Sequence, residues 1–379
     1  MKRVVATERL PIKMWLADIE DGALQQAMDL ANLPFAFKHI ALMPDCHQGY
    51  GMPIGGVMAT KGAVVPNAVG VDIGCGMTAI QTDLNDIPQE QLKTIMGQIR
   101  EVIPVGFKHQ EKPQDWERFK DPPYVEIIQQ ELESAKKQLG TLGGGNHFIE
   151  IQKGSDDYIW VMIHSGSRNF GYKTAKVYHQ KAKELCERWY SDIPNMDLAF
   201  LPLDTSEAQE YLEAMNYCLD FAHENRKNMI SKIISIIGEN HFPNSEVNIH
   251  HNYAAMEHHF KSNVLVHRKG ATRAYEGEIG IIPGSMGTSS YIVEGLGNEQ
   301  SFKSCSHGAG RCMGRKEAIR RLVLEDEQKR MEGIIGKPRS QNELDEAPGA
   351  YKDIDTVMEN QKELVKIKVK LKPLAVIKG

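Results

Sequence analysis

The sequence predicts an α+β fold with a β-rich core and peripheral helices. Stretches rich in β-branched residues and bounded by glycine alternate with amphipathic helical segments along the whole chain. The sequence shows no repeat period and no low-complexity tract, and no linker rich in Pro, Gly or Ser divides it. We therefore expect residues 1–379 to form a single domain instead of two.

Six segments have the apolar spacing of amphipathic helices, namely 88–101, 124–139, 173–190, 207–237, 312–334 and 353–364. Pro88 suits the first turn of the first segment, and Gly140 is a natural C-cap for the second. The longest segment is expected to begin at Ser206, which stands three residues before Gln209 in capping-box spacing. Gly238 is expected to end it.

Eight stretches are typical of strands, at 55–65, 77–84, 148–152, 158–164, 246–251, 263–271, 279–285 and 290–295. The polar, Pro-containing stretch SQNELDEAPGAYKD at 340–353 predicts a loop between the last two helical segments.

Composition indicates an ordinary soluble protein, with 41% hydrophobic and 25% charged residues. No apolar run approaches the roughly 20 residues that a membrane helix needs, and the opening MKRVVATERL lacks the apolar core of a secretory signal. We therefore expect a cytoplasmic protein without a membrane partner. The six scattered cysteines form no CxxC pair and argue against a disulfide framework. The net charge of −5 does not point to nucleic acid, although Lys and Arg could still gather on one face.

Residue types that bind metals occur at the ends of predicted strands, beside small residues. They are Asp72, Cys75, His147, His164 and His251. A thiolate with imidazoles suits zinc or another late first-row metal, and a carboxylate shifts such a set toward a mixed site that could bind manganese. Taken singly, each histidine is more often a hydrogen-bonded structural residue, and a cysteine between glycines a small buried one. Their shared setting favours a metal site. His250 and His251 point to opposite faces of an extended segment, so at most one of them should face an ion.

Two glycine-rich segments lie close together in the chain, IPGSMGTSSY at 282–291 and SHGAGR at 306–311. Small residues let backbone N–H groups approach phosphate oxygens, but neither segment is a P-loop or a dinucleotide fingerprint, and two tight turns would explain them equally well. His307 in the second segment favours nucleotide chemistry, because imidazole can act as a covalent nucleophile. A terminal lysine such as Lys378 is usually solvated, yet the apolar run at 374–377 could pack and hold its amine in a site.

Eight motifs together resemble the RtcB family of RNA ligases. In chain order they are PDCHQGYGMPIGGV, GVDIGCGM, GGGNHFIE, HSGSRNFG, HHN, PGSMGTSSY, SHGAGR and the closing VIKG. They extend from about residue 43 to the last residue, so the resemblance covers nearly the whole chain. One such motif is modest evidence, but eight in the same order are specific. The resemblance implies one α+β domain with a β-rich core.

The resemblance also implies the site residues. The manganese ligands would be Asp72, Cys75, His147, His164 and His251. The guanylate-binding positions would be Asn146, His147, Phe148, Ile149, Glu150, His251, Asn252, Pro283, Gly284, Ser285, Met286, Ser290, His307, Gly308, Ala309, Gly310 and Lys378. His307 matches the histidine that becomes guanylylated, and Lys378 matches the lysine that contacts the nucleotide.

The activity that the resemblance implies is the joining of RNA ends with GTP and two Mn²⁺ ions per active site. RNA ending in a 2′,3′-cyclic phosphate or a 3′-phosphate would be joined to a 5′-hydroxyl end, in RNA repair or tRNA splicing, by a protein expected to be a monomer. Arg168 and Arg311 adjoin the ligand motifs and are expected to hold RNA or phosphate. The chain is shorter than many relatives, and residues 105–125 match no motif.

Two other functions stay open at this point. A metal-dependent phosphoesterase that opens cyclic phosphates would use the same metal ligands but would not need His307 or Lys378. An RNA-binding or chaperone-like protein with structural zinc would leave both glycine-rich segments without a role.

Overall fold

The computed structural model describes residues 1–238 and 241–379. The strands in these ranges are β1 (Arg3–Val5), β2 (Ile12–Met14), β3 (Ala36–Tyr50), β4 (Met52–Thr60), β5 (Ala63–Val64), β6 (Gly76–Gln81), β7 (Phe148–Gly154), β8 (Ile159–Ser165), β9 (Leu201–Pro202), β10 (Val247–His250), β11 (Asn252–His259), β12 (Ser262–Lys269), β13 (Ala271–Arg273), β14 (Ile279–Ile282), β15 (Ser290–Gly295), β16 (Ser304–Ser306) and β17 (Val365–Lys378). The α-helices are α1 (Asp21–Ala31), α2 (Pro66–Val69), α3 (Gln89–Val102), α4 (Glu126–Gln138), α5 (Arg168–Arg188), α6 (Ser206–Ile237), α7 (Arg315–Arg321), α8 (Leu324–Arg330) and α9 (Ile354–Asn360).

Two large sheets form the core of the described ranges. One has six strands in the order β1-β2-β3-β4-β12-β11, and the other has seven in the order β10-β6-β8-β7-β17-β15-β14. Within these two sheets β2 and β3 pair in parallel and the other described pairs are antiparallel. Helices lie around the sheets, so the predicted α+β class with a β-rich core is confirmed. That one domain spans residues 1–379 stays a prediction.

The two longest strands were missed by the sequence analysis. β3 has 15 residues, and its pairing with β4 shifts register three times. Its polar segment PDCHQGY lacks the regular alternation that predicts a strand, so the strand was not recognised in the sequence. β17 has 14 residues and alternates lysine with apolar residues through KIKVKLK, a period-two pattern that does predict a strand. β17 lies between β7 and β15, which places the last residues of the chain inside the seven-stranded sheet.

Five of the six predicted helices are present, each with at least one shifted end. α3 and α6 agree with the predicted ranges to within one residue, and α4 ends at Gln138 with Leu139 as its C-cap instead of Gly140. Pro88 is the N-cap of α3 and precedes its first turn. α5 begins at Arg168, five residues before the predicted start, because the Gly and Ser residues of HSGSRNFG hide the beginning of the apolar pattern.

The prediction of one helix at 312–334 is wrong. Two short helices, α7 and α8, are separated by extended backbone at Leu322 and Val323. The break lets buried Glu327 of α8 accept a hydrogen bond from the backbone of Gly349, 2.8 Å away. Gly349 belongs to the predicted loop at 340–353, which consists mainly of two short 3-10 turns. The last predicted helix, 353–364, is shorter than expected, because α9 ends at Asn360.

The capping box predicted for α6 is also wrong, by one residue. Thr205 is the N-cap, and its hydroxyl accepts from the backbone N–H of Ala208 at 3.3 Å. Gln209 instead donates to the carbonyl of Leu203. Gly238 ends the helix in the left-handed region at φ +115°, as predicted.

α6 is the helix that supports the site. Its C-terminal half packs Met229, Ile233 and Ile234 into the apolar cluster behind the seven-stranded sheet, and its middle contacts β6, β8 and β10. No helix among the described residues has both the length and the apolar character to cross a membrane.

Thr205→Ala is expected to lower the free energy of unfolding by about 1 kcal/mol, because it removes the acceptor for an N-terminal amide of α6. Urea denaturation followed by circular dichroism measures the change. Ser206→Ala, one residue on, is the matched control and should have little effect. A loss for Ser206→Ala as large as that for Thr205→Ala would contradict the cap assignment.

Candidate functional site

Four neighbouring strands of the seven-stranded sheet bring the predicted metal ligands together at their ends, on one side of the sheet. Asp72 and Cys75 precede β6, His147 precedes β7, His164 lies at the end of β8, and His251 follows β10. These strands are adjacent and antiparallel in the order β10-β6-β8-β7. The start of one strand therefore lies beside the end of its neighbour, and the side chains converge.

Cys75 is the centre of the cluster. Its Sγ lies 3.2 Å from Nε2 of His164 and 3.4 Å from Nε2 of His147, and the potential ligand atoms of these three residues all lie within 4.8 Å of one another. Asp72 Oδ2 is 3.2 Å from Nε2 of His147, and His251 Nε2 is 3.4 Å from Nε2 of His164. The five predicted ligands thus form one continuous set of contacts on either side of Cys75.

Backbone carbonyls fix the imidazole rings in the orientation that a metal needs. His147 Nδ1 lies 3.0 Å from the carbonyl of Leu142, and His164 Nδ1 lies 3.0 Å from that of Asn146. A carbonyl only accepts, so each Nδ1 carries the proton and each Nε2 directs a lone pair at Cys75. His251 is oriented differently, because its buried Nδ1 has no hydrogen-bond partner among the described residues.

The charges of the cluster fit a divalent cation. Burial lowers the pKa of His164 and of His251 well below the usual value, which leaves both rings neutral. Burial raises the pKa of the Cys75 thiol, and burial also disfavours ionised Asp72, whose pKa is nevertheless lowered by its contact with His147 and by the nearby charge of Arg168. A bound cation would stabilise a Cys75 thiolate and accept the imidazole lone pairs. One sulfur, three imidazoles and a carboxylate could therefore hold a late first-row metal.

His307 lies directly beside this cluster. Its ring centre is 4.7 Å from that of His251. Its Nδ1 lies 2.6 Å from Oδ2 of Asp45, and the same oxygen accepts from the backbone N–H groups of His307 and Gly308 at 3.1 and 3.3 Å. Because Nδ1 donates to Asp45, the lone pair of the neutral ring is on Nε2, for which no partner is present in the described ranges.

A cavity of about 860 Å³ opens in front of the metal ligands and His307. Both glycine-rich segments contribute to its wall, and Lys378 contributes from the end of β17. Every predicted metal ligand except His147 lines it, as does every predicted nucleotide-binding residue except His147, Ile149 and Ser290. The structure thus brings together residues that are spread from 72 to 378 in the sequence.

The three residues outside the cavity wall have other surroundings. His147 belongs to the cluster of potential metal ligands around Cys75. The side-chain alternation of β7 places Phe148 and Glu150 on the cavity face and Ile149 in the apolar cluster on the opposite face. Ser290 accepts from the backbone N–H of Gly284 at 3.1 Å and so holds the first glycine-rich segment. Ile149 can therefore contribute to a nucleotide site only through its backbone.

A buried carboxyl group and a partly buried lysine stand at one wall of the cavity. Burial raises the pKa of Glu150 to about 8, and burial lowers the pKa of Lys378. Lys378 Nζ lies 6.0 Å from the ring centre of Phe148. The packing of β17 between two strands, with buried Val376 and Ile377, holds the terminal lysine against the cavity, as the apolar run before it suggested.

Asp45 is a residue of the candidate site that the sequence analysis did not identify. It is fully buried in β3, and its contact with His307 joins residues 262 positions apart. The signal that could have found it is its place in PDCHQGYG, a motif whose charged residue was left without a role.

The two arginines expected to hold RNA or phosphate are engaged by the protein. Arg311 lines the cavity but donates to Glu346 at 2.7 Å and to the carbonyl of Asp345. Arg168 lies behind the cluster of potential metal ligands, with Nη1 3.4 Å from Nδ1 of His147. Arg315, which the sequence analysis did not select, is half exposed in the cavity wall and donates to Glu346 through Nε alone.

Residues 105–125 pack against α6. Trp116 contacts Tyr217 and Phe221 with ring centres 5.3 and 6.0 Å apart. The backbone N–H of Gly106 donates to the carbonyl of Gly143, beside the loop that carries His147. This segment therefore connects the outside of α6 to the loop that carries His147, a potential metal ligand.

Comparison with known proteins gives a consistent result. Residues 26–379 match the family model described as tRNA-splicing ligase RtcB. The RNA-splicing ligase RtcB of Escherichia coli strain K12 is 40% identical over 406 aligned positions, which cover 99% of each chain. The tRNA-splicing ligases RtcB of Nanoarchaeum equitans and Thermococcus kodakarensis are 33% and 32% identical, with 100% of this chain covered and 95% and 94% of theirs. The archaeal alignments span 466 and 464 positions, so these relatives contain segments that this shorter chain lacks.

Cys75→Ala is expected to weaken Co²⁺ binding by at least about tenfold and to remove the sulfur-to-cobalt absorption band, because Cys75 lies at the centre of the potential ligands and supplies their one sulfur. Titration followed by absorption spectroscopy measures both. Cys218→Ala, at a buried cysteine on α6, is the control and should keep the band. A band that persists in Cys75→Ala would exclude Cys75 as a ligand.

Proposed function

The chain belongs to the RtcB family, and on that premise we propose that it is a GTP- and Mn²⁺-dependent RNA ligase that carries a guanylate on His307. It joins RNA ends with a 2′,3′-cyclic phosphate or a 3′-phosphate to 5′-hydroxyl ends. The observation that most supports this proposal is the setting of His307, whose free Nε2 stands beside a potential metal ligand in a glycine-lined cavity. A purely hydrolytic metal site would not require this arrangement.

The first step of the proposed reaction is guanylylation. The lone pair of His307 Nε2 attacks the α-phosphorus of GTP, a nitrogen–phosphorus bond forms, and the bond to the β-phosphate breaks to release pyrophosphate. Nδ1 keeps its proton, and the carboxylate of Asp45 stabilises the positive charge that develops on the ring. Asp45 also holds the ring rigidly, because it binds both the side chain and the backbone of His307.

Asp72, Cys75, His147, His164 and His251 would hold the two ions, with Cys75 at the centre of the set. When bound, Mn²⁺ supplies Lewis-acid stabilisation of the charge on phosphoryl oxygens. The buried imidazoles and the thiol suit this role because their potential ligand atoms already converge.

The glycine-rich segments would hold the nucleotide phosphates. A Cβ at Gly284 would lie 2.3 Å from the carbonyl of Ser289, and one at Gly310 would lie 2.3 Å from that of Asp45. Only glycine fits these positions, which lets the backbone approach the ligand closely. Glu150 and Lys378, an acceptor and a donor on one wall, would bind polar groups of the guanylate.

The later steps regenerate His307. Water first opens a cyclic phosphate to a 3′-phosphate. An oxygen of that phosphate attacks the phosphorus of the guanylate, the nitrogen–phosphorus bond breaks, and the RNA end is activated. The 5′-hydroxyl then attacks the RNA phosphorus, and GMP leaves. We propose that the protein does this as a cytoplasmic monomer without a membrane partner, in RNA repair or tRNA splicing.

His307→Ala is expected to abolish the covalent adduct that forms when the protein is incubated with Mn²⁺ and GTP labelled at the α-phosphate, because it removes the nucleophile. Gel electrophoresis under denaturing conditions detects the adduct. His258→Ala, at an exposed histidine of β11, is the control and should form the adduct normally.

The adduct assay, followed by incubation with RNA pieces of defined ends, separates the other candidate functions. A phosphoesterase would open cyclic phosphates without an adduct in the unchanged protein, and a zinc-containing RNA-binding protein would join no RNA in the presence of GTP. An adduct in His307→Ala would show that another residue is the nucleophile.

Asp45→Asn is expected to slow guanylylation by on the order of 100-fold, because a neutral amide cannot stabilise the charge that develops on His307. Single-turnover kinetics with labelled GTP measure the rate. The affinity for Mn²⁺ should stay unchanged, since no hydrogen bond joins Asp45 to a potential metal ligand in the described part of the chain. An unchanged rate would exclude a role for Asp45 in this step.

A further inference from the structure

Two adjacent polar residues of α6, Asn225 and Arg226, are completely buried behind the cluster of potential metal ligands. Buried amide and guanidinium groups destabilise a fold unless their hydrogen bonds are satisfied. Both side chains form almost all of their hydrogen bonds with the segments that carry the potential metal ligands. These hydrogen bonds connect α6 to each of these segments.

Arg226 contacts the chain neighbours of three potential ligands. Nη1 donates to the carbonyl of Gly74 at 3.0 Å and to that of Ser165 at 2.9 Å. Nη2 donates to Nδ1 of His250 at 3.1 Å, and Nε donates to Oδ1 of Asn248 at 2.8 Å. Gly74 precedes Cys75, Ser165 follows His164, and His250 precedes His251. One rigid, planar group therefore sets the relative positions of three strand ends.

Asn225 holds the fourth segment. Its Oδ1 accepts from the backbone N–H groups of Gly140 and Thr141 at 2.7 and 3.2 Å. Its Nδ2 donates to the carbonyls of Thr141 and Gly166 at 3.1 and 3.2 Å. The next residue, Leu142, provides the carbonyl that orients His147. Asn225 thus fixes the loop of His147 against the end of the strand that carries His164.

The surroundings of Arg226 differ from those of the other buried arginine, Arg268. Arg268 is equally buried but pairs with Glu257 through two hydrogen bonds. No carboxylate in the described ranges forms an ion pair with Arg226. A buried cation that binds carbonyls and an imidazole instead of a carboxylate is an expensive way to stabilise a fold, which indicates that the geometry it imposes has a use.

We propose that Asn225 and Arg226 are positioning residues of the metal centre, which set the separations among Cys75, His147, His164 and His251 without touching an ion or a substrate. The inference rests on the metal site of the proposed function. It predicts that changes at Arg226 alter metal binding more than they alter the stability of the fold.

The test compares Arg226→Lys and Asn225→Ala with the matched control Arg268→Lys in the full chain. Electron paramagnetic resonance of free Mn²⁺ gives the dissociation constant, the absorption spectrum of bound Co²⁺ reports ligand geometry, and thermal denaturation of the metal-free protein gives Tm. Arg226→Lys and Asn225→Ala are expected to raise the dissociation constant for Mn²⁺ about 10- to 100-fold and to change the Co²⁺ spectrum. Arg268→Lys is expected to lower Tm and to leave both metal readouts unchanged.

Asn248→Ala is a milder variant, because this partly exposed residue accepts from Nε of Arg226, donates to the carbonyl of His223, and contacts no potential ligand. It is expected to raise the dissociation constant about threefold, less than the roughly 10- to 100-fold typical of groups bonded directly to ligands, because Asn248 acts only through Arg226. If Arg226→Lys fails to fold, Asn248→Ala decides the question by the same titration.

The proposal is overturned if folded Arg226→Lys, or Asn248→Ala in its place, binds Mn²⁺ as tightly as the unchanged protein with the same Co²⁺ spectrum. It is also overturned if Arg268→Lys weakens Mn²⁺ binding equally. If the unchanged protein binds Zn²⁺ but no Mn²⁺, the proposed function fails by itself, and the same variants compared with Zn²⁺ still test the positioning role.

Discussion

The contact of one buried thiol with two imidazoles is the constraint on which the rest of this site depends. Cys75 can lie within 3.4 Å of Nε2 of both His147 and His164 only if the ends of three neighbouring strands are held in register. Both rings must also be correctly turned, which two backbone carbonyls ensure, and burial lowers the pKa of His164. The Gly-rich turns around these residues follow from the same requirement, because larger side chains would separate the strand ends.

The two sheets contribute different parts of the chemistry. The seven-stranded sheet carries the potential metal ligands, together with Glu150 and Lys378. The six-stranded sheet carries Asp45 on β3, and Asp45 holds His307 in front of the cluster. The cavity is therefore lined from both sheets, and His307 is oriented by one sheet while the potential metal ligands belong to the other.

Much of the site could be predicted from the sequence because its residues stand in short motifs with small neighbours. The strand-end setting of His164 and the Gly-rich setting of Cys75 and His307 were visible without coordinates, and the structure places all three at one cavity. The alternation of β7 also explains why the predicted range 146–150 includes one residue, Ile149, that faces the apolar cluster. Predictions failed where one local pattern fitted two structures. The apolar spacing across 312–334 is compatible with one helix or with two helices. The hydrogen bond from Gly349 to Glu327 is present in the arrangement with two helices.

The sequence by itself determined the fold class, most of the helices, the residue types of a metal site and a resemblance that covers nearly the whole chain. It could do so because periodicity, capping residues and motifs act over a few residues. Only the tertiary structure decided that Asp45 orients His307 across 262 positions, that Arg311 binds Glu346, and that Arg226 joins three strand ends. Such contacts depend on which strands become neighbours in a sheet, and strand pairing is a property of the whole chain that no local pattern contains.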